Sequence, residues 1–414
     1  MFRVPKTPAR PGDQREHPRL RLAQAERGGS RPSQRLSACP GKFNGTRGAR
    51  GASTTAGGRL TPLTDDRHAA TLKAMTITLQ PPAPAAGSDF AELNRRVKAR
   101  GLMRRTPFHY AVRVSAILVT TAAAWAAVAT LGASWWTLPV AALMAVTSAQ
   151  SALIAHDVAH RQVFRSARRS ERAGLIAGNL AIGMSYGWWL DKHTRHHNNP
   201  NHDDLDPDVA PEVLVWTPEA AANQHGLRRL IARHQAPLFF PMLTLLAVSL
   251  RRSSIRALRD GTVRRPALEG AVMAVHAVAY LGALLTLLPL PLALAFIVVH
   301  QGLFGIYLGL TFAPNHKGMP HPTGAEDFLR KQVLTSRNVR GGWLTDAALG
   351  GLNYQIEHHL FPAMPAPHLR TAQPIVRDYC AEIGVRYEMT SLTDSYRQAL
   401  RHLHDVGAPL RDGR

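Results

Sequence analysis

Long apolar runs alternate along this chain with polar stretches that carry almost all of its charge. The apolar runs that approach the length of about 20 residues needed to cross a bilayer are 114–131, 136–155, 270–288 and 292–312. A few uncharged residues separate the first run from the second and the third from the fourth, so each pair predicts a helical hairpin. The pattern therefore predicts an all-α integral membrane fold with about four transmembrane helices in two hairpins.

Two shorter apolar runs are further candidates for transmembrane helices. Residues 173–190 include the polar Asn179 and Ser185 and end in two tryptophans, and residues 236–250 contain two prolines. Tryptophan is enriched at the depth of the lipid headgroups. Both runs are therefore interpreted as interfacial or re-entrant segments.

The polar stretches divide the chain further. Residues 1–74 are rich in Arg, Gly, Pro and Ser without a hydrophobic period, which predicts a disordered basic extension, and Met75 is a candidate for the true start. Residues 75–109 are interpreted as a cytoplasmic segment with an amphipathic helix at 89–101. The membrane domain is predicted over 110–385. A cytoplasmic helical tail with Ser391 as its N-cap is predicted over 386–414.

The distribution of charge along the chain predicts its orientation in the membrane. The net charge of +22 comes largely from the N-terminal extension and from arginines that flank the apolar runs, so no nucleic-acid partner is expected. Both hairpin turns are uncharged, whereas the opposite ends of the predicted spans carry many arginines. The positive-inside rule then places both termini and the long middle segment in the cytoplasm. The two cysteines, Cys39 and Cys380, exclude a disulfide framework and a cysteine zinc site.

The candidate chemistry lies in histidines that follow the predicted spans. Four sequence groups supply them: HDVAH, HTRHH, QIEHH and the NH of APNHKG. Within the groups the spacings are i, i+3 and i+4, which share one face of a helix. Each group follows an even number of spans, so all are expected on one membrane face. The candidate ligands are His156, His160, His193, His196, His197, His316, His358 and His359.

Eight imidazoles suit two metal ions better than one. Imidazole binds zinc, copper, iron and nickel, but a zinc ion is normally satisfied by four ligands. The Glu-x-x-His pattern of soluble di-iron bundles is absent from the sequence. A histidine-rich pair of irons is the best fit, although spacing by itself does not choose the metal. A metal transporter is an alternative, and it predicts ligands in the middle of spans rather than past their ends.

The three larger groups resemble the three histidine boxes of membrane-bound fatty acid desaturases, over roughly residues 85–385. The phrases NYQIEHHLFP and APNHKGMP are similar to acyl-lipid and front-end members of that family. The resemblance implies a cytoplasmic helical cap that carries a di-iron centre. It assigns ligand and catalytic roles to the seven histidines of the boxes, and a ligand role to His316. The implied reaction is the O2-dependent introduction of a cis double bond into a membrane-associated acyl chain.

Several other residues are candidates for supporting this centre. Gln355 stands where some relatives have a histidine, so it is expected to hold a water or to orient the site. Asp157, His202 and Asn315 are further candidates for contacts with the ligands. His276 and His300 lie inside predicted spans and are interpreted as neutral histidines bonded to neighbouring helices.

The resemblance also sets expectations about partners and place. The substrate is expected to be an acyl lipid or an acyl thioester among membrane lipids. Since no His-Pro-Gly-Gly haem motif of a fused cytochrome b5 domain occurs, electrons are expected from a separate protein such as a ferredoxin with its reductase. The expected location is a bacterial plasma membrane, with the active site cytoplasmic. The alternative enzyme is a di-iron hydroxylase or ketolase acting on an alkane, sterol or carotenoid.

Overall fold

A computed structural model describes residues 88–210 and 213–411. The predicted extension 1–74 and the first part of the segment 75–109 lie outside the described residues. The helices are α1 Asp89–Ala99, α2 Pro107–Leu131, α3 Thr137–Ala159, α4 Ala167–Gly174, a π-helix Leu175–Leu180, α5 Tyr186–Asn198, α6 Pro218–Ala222, α7 Gly226–Arg233, α8 Gln235–Leu243, α9 Leu246–Arg259, α10 Pro266–Leu287, α11 Leu290–His316, α12 Phe328–Leu334, α13 Trp343–Ala348, α14 Gln355–Leu360, α15 Ala366–Glu382, α16 Leu392–Val406 and α17 Ala408–Arg411. The strands are β1 Asn338–Val339 and β2 Met389–Thr390, which pair in parallel.

Four of these helices, α2, α3, α10 and α11, are long and apolar enough to cross a membrane. This confirms the predicted all-α membrane fold. In their most apolar windows, α3 and α11 are 44% and 50% buried, against 11% for α2 and for α10. The inner pair therefore packs together, and the outer pair leaves most of its apolar surface free for lipid.

The inner helices are longer than the apolar runs that predicted them. The run 136–155 ends at Ala155, but α3 continues to Ala159; the run 292–312 ends at Phe312, but α11 continues to His316. Backbone hydrogen bonding carries each helix past its apolar part, and the extra turn carries histidines. The membrane helices thus carry candidate metal ligands directly.

The two shorter apolar runs are broken in the structure. The first contains the end of α4, the π-helix, a non-helical stretch at 183–185 and the start of α5. The second becomes α8 and α9, which meet at an angle of 76°, and it is apolar enough to count as a bent span or a re-entrant loop. Gly305 of α11 allows the close approach of this bend, because a Cβ there would lie 2.4 Å from the carbonyl oxygen of Leu243.

A helical cap covers the end of the bundle where the histidines emerge. Its core joins side chains of α1, α12, α14 and α15. The predicted amphipathic helix is present as α1 and buries Leu93 and Val97 there. All six residues of α14, the segment of the third histidine box, are buried. Ser391 caps α16 as predicted by accepting a hydrogen bond from the amide of Asp394 at 3.1 Å.

Candidate metal centre

Three separate segments bring the histidine boxes together. The last turn of α3 carries His156, and His160 follows at its C-cap. Helix α5 carries HTRHH and begins at Ser185, whose hydroxyl accepts a hydrogen bond from the amide of Trp188 at 3.1 Å. The short helix α14 carries the third box, and the end of α11 adds His316.

Five histidines form one cluster, in which one ring nitrogen of each lies within 4.8 Å of the others: His156, His160, His193, His197 and His358. Their Nε2 atoms converge. The Nε2 of His193 lies 2.8 Å from that of His160 and 3.1 Å from that of His197, and the Nε2 of His358 lies 3.1 Å from that of His197. All of these rings point one nitrogen at a common centre.

Three further histidines, His196, His316 and His359, form a second cluster with the same 4.8 Å limit. The amide nitrogen of Gln355 lies 2.9 Å from Nε2 of His316 and so reaches the edge of this cluster. The two clusters are adjacent, since the rings of His197 and His359 stack with centroids 4.1 Å apart. The centre is therefore double, with five imidazoles on one side and three on the other.

Each histidine of the smaller cluster has an acceptor for its outer nitrogen. The Nδ1 of His196 lies 2.9 Å from Asp206 Oδ2, that of His316 lies 3.1 Å from the carbonyl oxygen of Thr335, and that of His359 lies 2.8 Å from Gln332 Oε1. A neutral imidazole that donates from Nδ1 keeps its lone pair on Nε2. These contacts fix all three rings in the tautomer that presents Nε2 inward.

Burial favours the neutral form of most of these imidazoles, which is the form that binds metal. It lowers the pKa of His160, His193 and His197 well below the ordinary value, and neighbouring histidines lower it further. The same two causes lower the pKa of His358 and His359. For Asp206, burial acts to raise the pKa, but the hydrogen bond from His196 lowers it overall, so the carboxylate stays ionised beside the cluster.

The nitrogen donors of the two clusters fit metal ions. Nε2 of His156 and Nε2 of His359 are buried without any hydrogen-bond partner in the described part of the chain, and each belongs to one of the two clusters. A buried nitrogen without a partner is costly, and a metal ion would satisfy it. Nitrogen donors without thiolates suit a borderline metal such as iron.

The other residues predicted to support the centre differ in their contacts with it. Asp157 lies 3.1 Å from Nδ1 of His156 and pairs with Arg113. Asn315 donates to the side-chain oxygen of Gln355 at 3.2 Å. His202 belongs to neither cluster, and its Nδ1 accepts a hydrogen bond from the amide of Asp204.

The two intramembrane histidines have the neighbours that the interpretation expected. His300 of α11 bonds to Ser148 of α3 at 3.0 Å and to Tyr280 of α10 at 2.7 Å. His276 of α10 bonds to the carbonyl oxygen of Leu180 at 2.8 Å. Both lie outside the histidine clusters.

Sequence reasoning missed Gln332 and the carbonyl of Thr335. Gln332 accepts from His359 and donates from Nε2 to the backbone oxygen of His197 at 2.9 Å, so one side chain supports both clusters. It lies on α12, and no spacing or sequence phrase connects it with the boxes. Asp206 lies in the acidic run DLDPD, where the sequence does not distinguish it from Asp204 or Asp208.

Comparison with known proteins decides the family. A family model described as "Fatty acid desaturase" matches residues 133–391, a range that includes every histidine of the two clusters. The chain belongs to the fatty acid desaturase family. It is therefore an oxidoreductase that introduces unsaturation into fatty acyl chains, which confirms the predicted function and sets aside the hydroxylase and transporter alternatives.

Individual relatives support the assignment of this chain to the desaturase family. It is 31% identical over 337 residues to the "Acyl-lipid (9-3)-desaturase" of Physcomitrium patens, covering 78% of this chain and 64% of that protein. It is 30% identical to "Fatty acid desaturase 3" of Bos taurus, covering 77% and 73%. It is 27% identical to the "Delta(6)-fatty-acid desaturase fat-3" of Caenorhabditis elegans, covering 77% and 74%.

A cavity of about 280 Å³ reaches the desaturase's double centre. His156, His193, His196 and His316 line it directly. Its walls are otherwise mostly apolar and come from α3, the segment around the π-helix, the α8–α9 bend and α11, including Ala152, Ile182, Met184, Leu246, Leu250, Leu308 and Phe312. An apolar cavity beside the histidines is the shape and chemistry that an acyl chain requires.

Polar groups gather at one end of this cavity. Lys192 pairs with the carboxylate of Asp208. The ammonium of Lys317 donates to the backbone oxygen of Asp208 at 2.9 Å and lies 3.8 Å from the centroid of the Trp216 ring. Burial lowers the pKa of Lys317 to about 8, so it still carries a positive charge at neutral pH.

Proposed function

We propose that this desaturase inserts a cis double bond into a membrane-associated acyl chain, and that His156, His160, His193, His197 and His358 hold one iron ion while His196, His316 and His359 hold a second. The observation that carries the proposal is the convergence of eight imidazoles, most of them buried, on two adjacent points beside an apolar cavity. In the second site, Gln355 leaves room for a water or contributes its own amide.

The chemistry that a pair of iron ions supplies when bound is the activation of O2 with two electrons, which breaking unactivated C–H bonds requires. The overall change removes two hydrogens from adjacent carbons and, with two external electrons and two protons, turns O2 into two waters. The apolar cavity wall orients the chain and excludes bulk water. Asp206, Thr335 and Gln332 hold the proton of each supported ring at Nδ1 and so keep Nε2 available.

The substrate enters from the membrane as an acyl lipid or acyl thioester. Relatives named acyl-lipid, Delta(5), Delta(6) and Delta(8) desaturases support an acyl chain as the substrate. The relatives named here come from Physcomitrium patens, Bos taurus, Caenorhabditis elegans and Helianthus annuus, all of them eukaryotes, so the proposed bacterial plasma membrane rests on the sequence alone. We also propose a cytoplasmic active site, because the arginine-rich ends of the spans lie on the side of the histidines.

Electrons are proposed to come from a separate carrier such as a ferredoxin with its reductase. Exposed arginines of α4 and the loop before it, Arg165, Arg168, Arg169 and Arg172, lie on the side of the membrane helices from which α3 delivers its histidines. A positive surface raises the association rate of an acidic carrier. High ionic strength should therefore slow reduction by such a carrier.

The test is fatty-acid profiling of a host that expresses the wild type beside His196→Ala, with iron measured in the purified proteins. The wild type should add unsaturated fatty acids and hold two irons per chain, and the variant should lose both the product and at least one iron. A wild type that leaves the profile unchanged with palmitic, stearic, oleic and linoleic acids supplied would contradict the proposal.

A further inference from the structure

Each of the two lysines at the polar end of the cavity is adjacent in sequence to a proposed metal-ligand histidine. Lys192 directly precedes His193, and Lys317 directly follows His316. Both side chains line the cavity together with the histidines, and Ile182, Met184 and Leu250, which pack in one apolar cluster, also line it. A molecule that occupies the cavity therefore meets a cationic end and an apolar end.

The two ammonium groups differ in what satisfies them. Lys192 has a carboxylate partner in Asp208. Among the residues that the structure describes, Lys317 makes no ion pair; its contacts are a backbone oxygen and the face of Trp216. An ammonium has three N–H donors, so the hydrogen bond to Asp208 leaves donors of Lys317 for a molecule in the cavity. A half-buried cation with no carboxylate in direct contact is costly to keep for packing alone, even with the charge of Asp206 nearby.

We propose that Lys317 donates a hydrogen bond to the carbonyl oxygen of the substrate's acyl group and thereby sets which carbons reach the metal centre, an inference that rests on the proposed function. The acyl carbonyl is the one polar group that an oxygen ester and a thioester share, and it needs a donor when it leaves water. Lys317 is thus a positioning residue for the reaction.

The position of Lys317 also predicts where the double bond forms. A carbonyl held beside His316 places the carbons nearest the carboxyl end against the clusters. The rest of the chain then runs along α5 from His193 toward Tyr186, a distance of roughly 10 Å at about 1.5 Å per helical residue. The reacting C–H bonds therefore lie at a fixed distance from the carbonyl, and the methyl end occupies the apolar end of the cavity.

Lys331 provides a matched control. It is also half-buried, and it donates to a backbone oxygen of the segment that follows the second histidine box, that of Asn198, at 2.8 Å. It does not line the cavity. Lys317→Met and Lys331→Met therefore each remove one ammonium that anchors a backbone oxygen, but only the first removes a donor from the cavity.

The experiment expresses the full chain and these variants, with Lys317→Arg, in a host supplied with palmitic, stearic, oleic and linoleic acids. Total unsaturated product, the positions of the new double bonds and the iron content of the purified proteins are measured. We expect Lys317→Met to keep two irons, to lose product roughly tenfold, as for one lost hydrogen bond to a charged group, and to spread the double bond over neighbouring positions. Lys317→Arg should restore a single position, and Lys331→Met should match the wild type.

Several outcomes overturn the inference. A Lys317→Met variant that makes the wild-type product in the wild-type amount refutes it, and so does one that loses iron together with activity, because Lys317 would then hold the fold rather than the substrate. Equal losses in Lys331→Met refute it as well. A wild type that makes no product contradicts the proposed function instead, so the two failures are distinguishable. Labelled oleic acid, followed over time into phospholipid and acyl-thioester pools, shows which of the two carbonyl sources is bound.

Discussion

Replacing Asp206 by asparagine should weaken one metal site and leave the other unchanged. The Asp206 carboxylate is buried and accepts three hydrogen bonds: from Nδ1 of His196 at 2.9 Å and from the amides of Asn201 and Asp208 at 2.8 Å each. An asparagine has one acceptor oxygen and one NH2 group. Whichever way it turns, the NH2 group faces at least one of these three donors.

The consequence for His196 follows from its tautomer. If the new NH2 group faces Nδ1, the imidazole moves its proton to Nε2, the nitrogen that points into the three-histidine cluster. If it faces the amide of Asp208 instead, His196 keeps an acceptor but loses the negative charge that raises its basicity as a ligand. Loss of such a supporting contact typically weakens metal affinity about 10- to 100-fold, which corresponds to about 1.4–2.8 kcal/mol. The five-histidine cluster has no contact with Asp206 and should keep its metal.

The assay is metal analysis of purified Asp206→Asn protein across a series of chelator concentrations, combined with fatty-acid profiling. We expect iron to fall from two toward one per chain as chelator rises, with product lost in parallel. Asp204→Asn is the control, because Asp204 lies in the same loop with an exposed side chain. If Asp206→Asn binds both irons as tightly as the wild type, or if Asp204→Asn loses iron equally, the reasoning about the tautomer is wrong.

Three further predictions concern the two clusters and their supports. His160→Ala should lose iron and activity together; full occupancy of both sites in that variant would remove His160 from the ligands. Glu269 is buried and accepts from Ser185 Oγ at 2.6 Å, Asn179 Nδ2 at 3.2 Å and the amide of Gly187 at 3.1 Å. Glu269→Leu leaves these donors unsatisfied at about 1–3 kcal/mol each, so a lower melting temperature is expected, with Glu269→Gln between it and the wild type; equal melting temperatures would contradict this role. In metal-free protein, the lowered histidine pKa values mean that the unfolded chain binds more protons, so thermal stability should fall as pH drops below about 6.5, and unchanged melting from about pH 7 to about pH 5 would contradict neutral buried imidazoles.

The local sequence determines much of the fold of this protein. Four runs long and apolar enough to cross a bilayer specify four helices, because burying backbone polar groups in lipid leaves helix as the favoured solution. The local sequence determines the helix boundaries less well, since α3 and α11 continue past the apolar residues into the histidines. The identity of the eight histidines also followed from spacing and from their position after the spans.

The tertiary structure decided how those histidines are shared between two sites. Consecutive residues of a helix point about 100° apart, so His196 and His197 of α5 enter different clusters, as do His358 and His359 of α14. The partners that fix the tautomers, Asp206, Gln332 and Thr335, come from loops and a helix of the cap that no local pattern connects to the boxes. The cavity and its two lysines likewise arise from packing between distant segments. Local sequence thus determined which groups are the candidate metal ligands, and long-range packing determined how they divide between two clusters and which cavity reaches them.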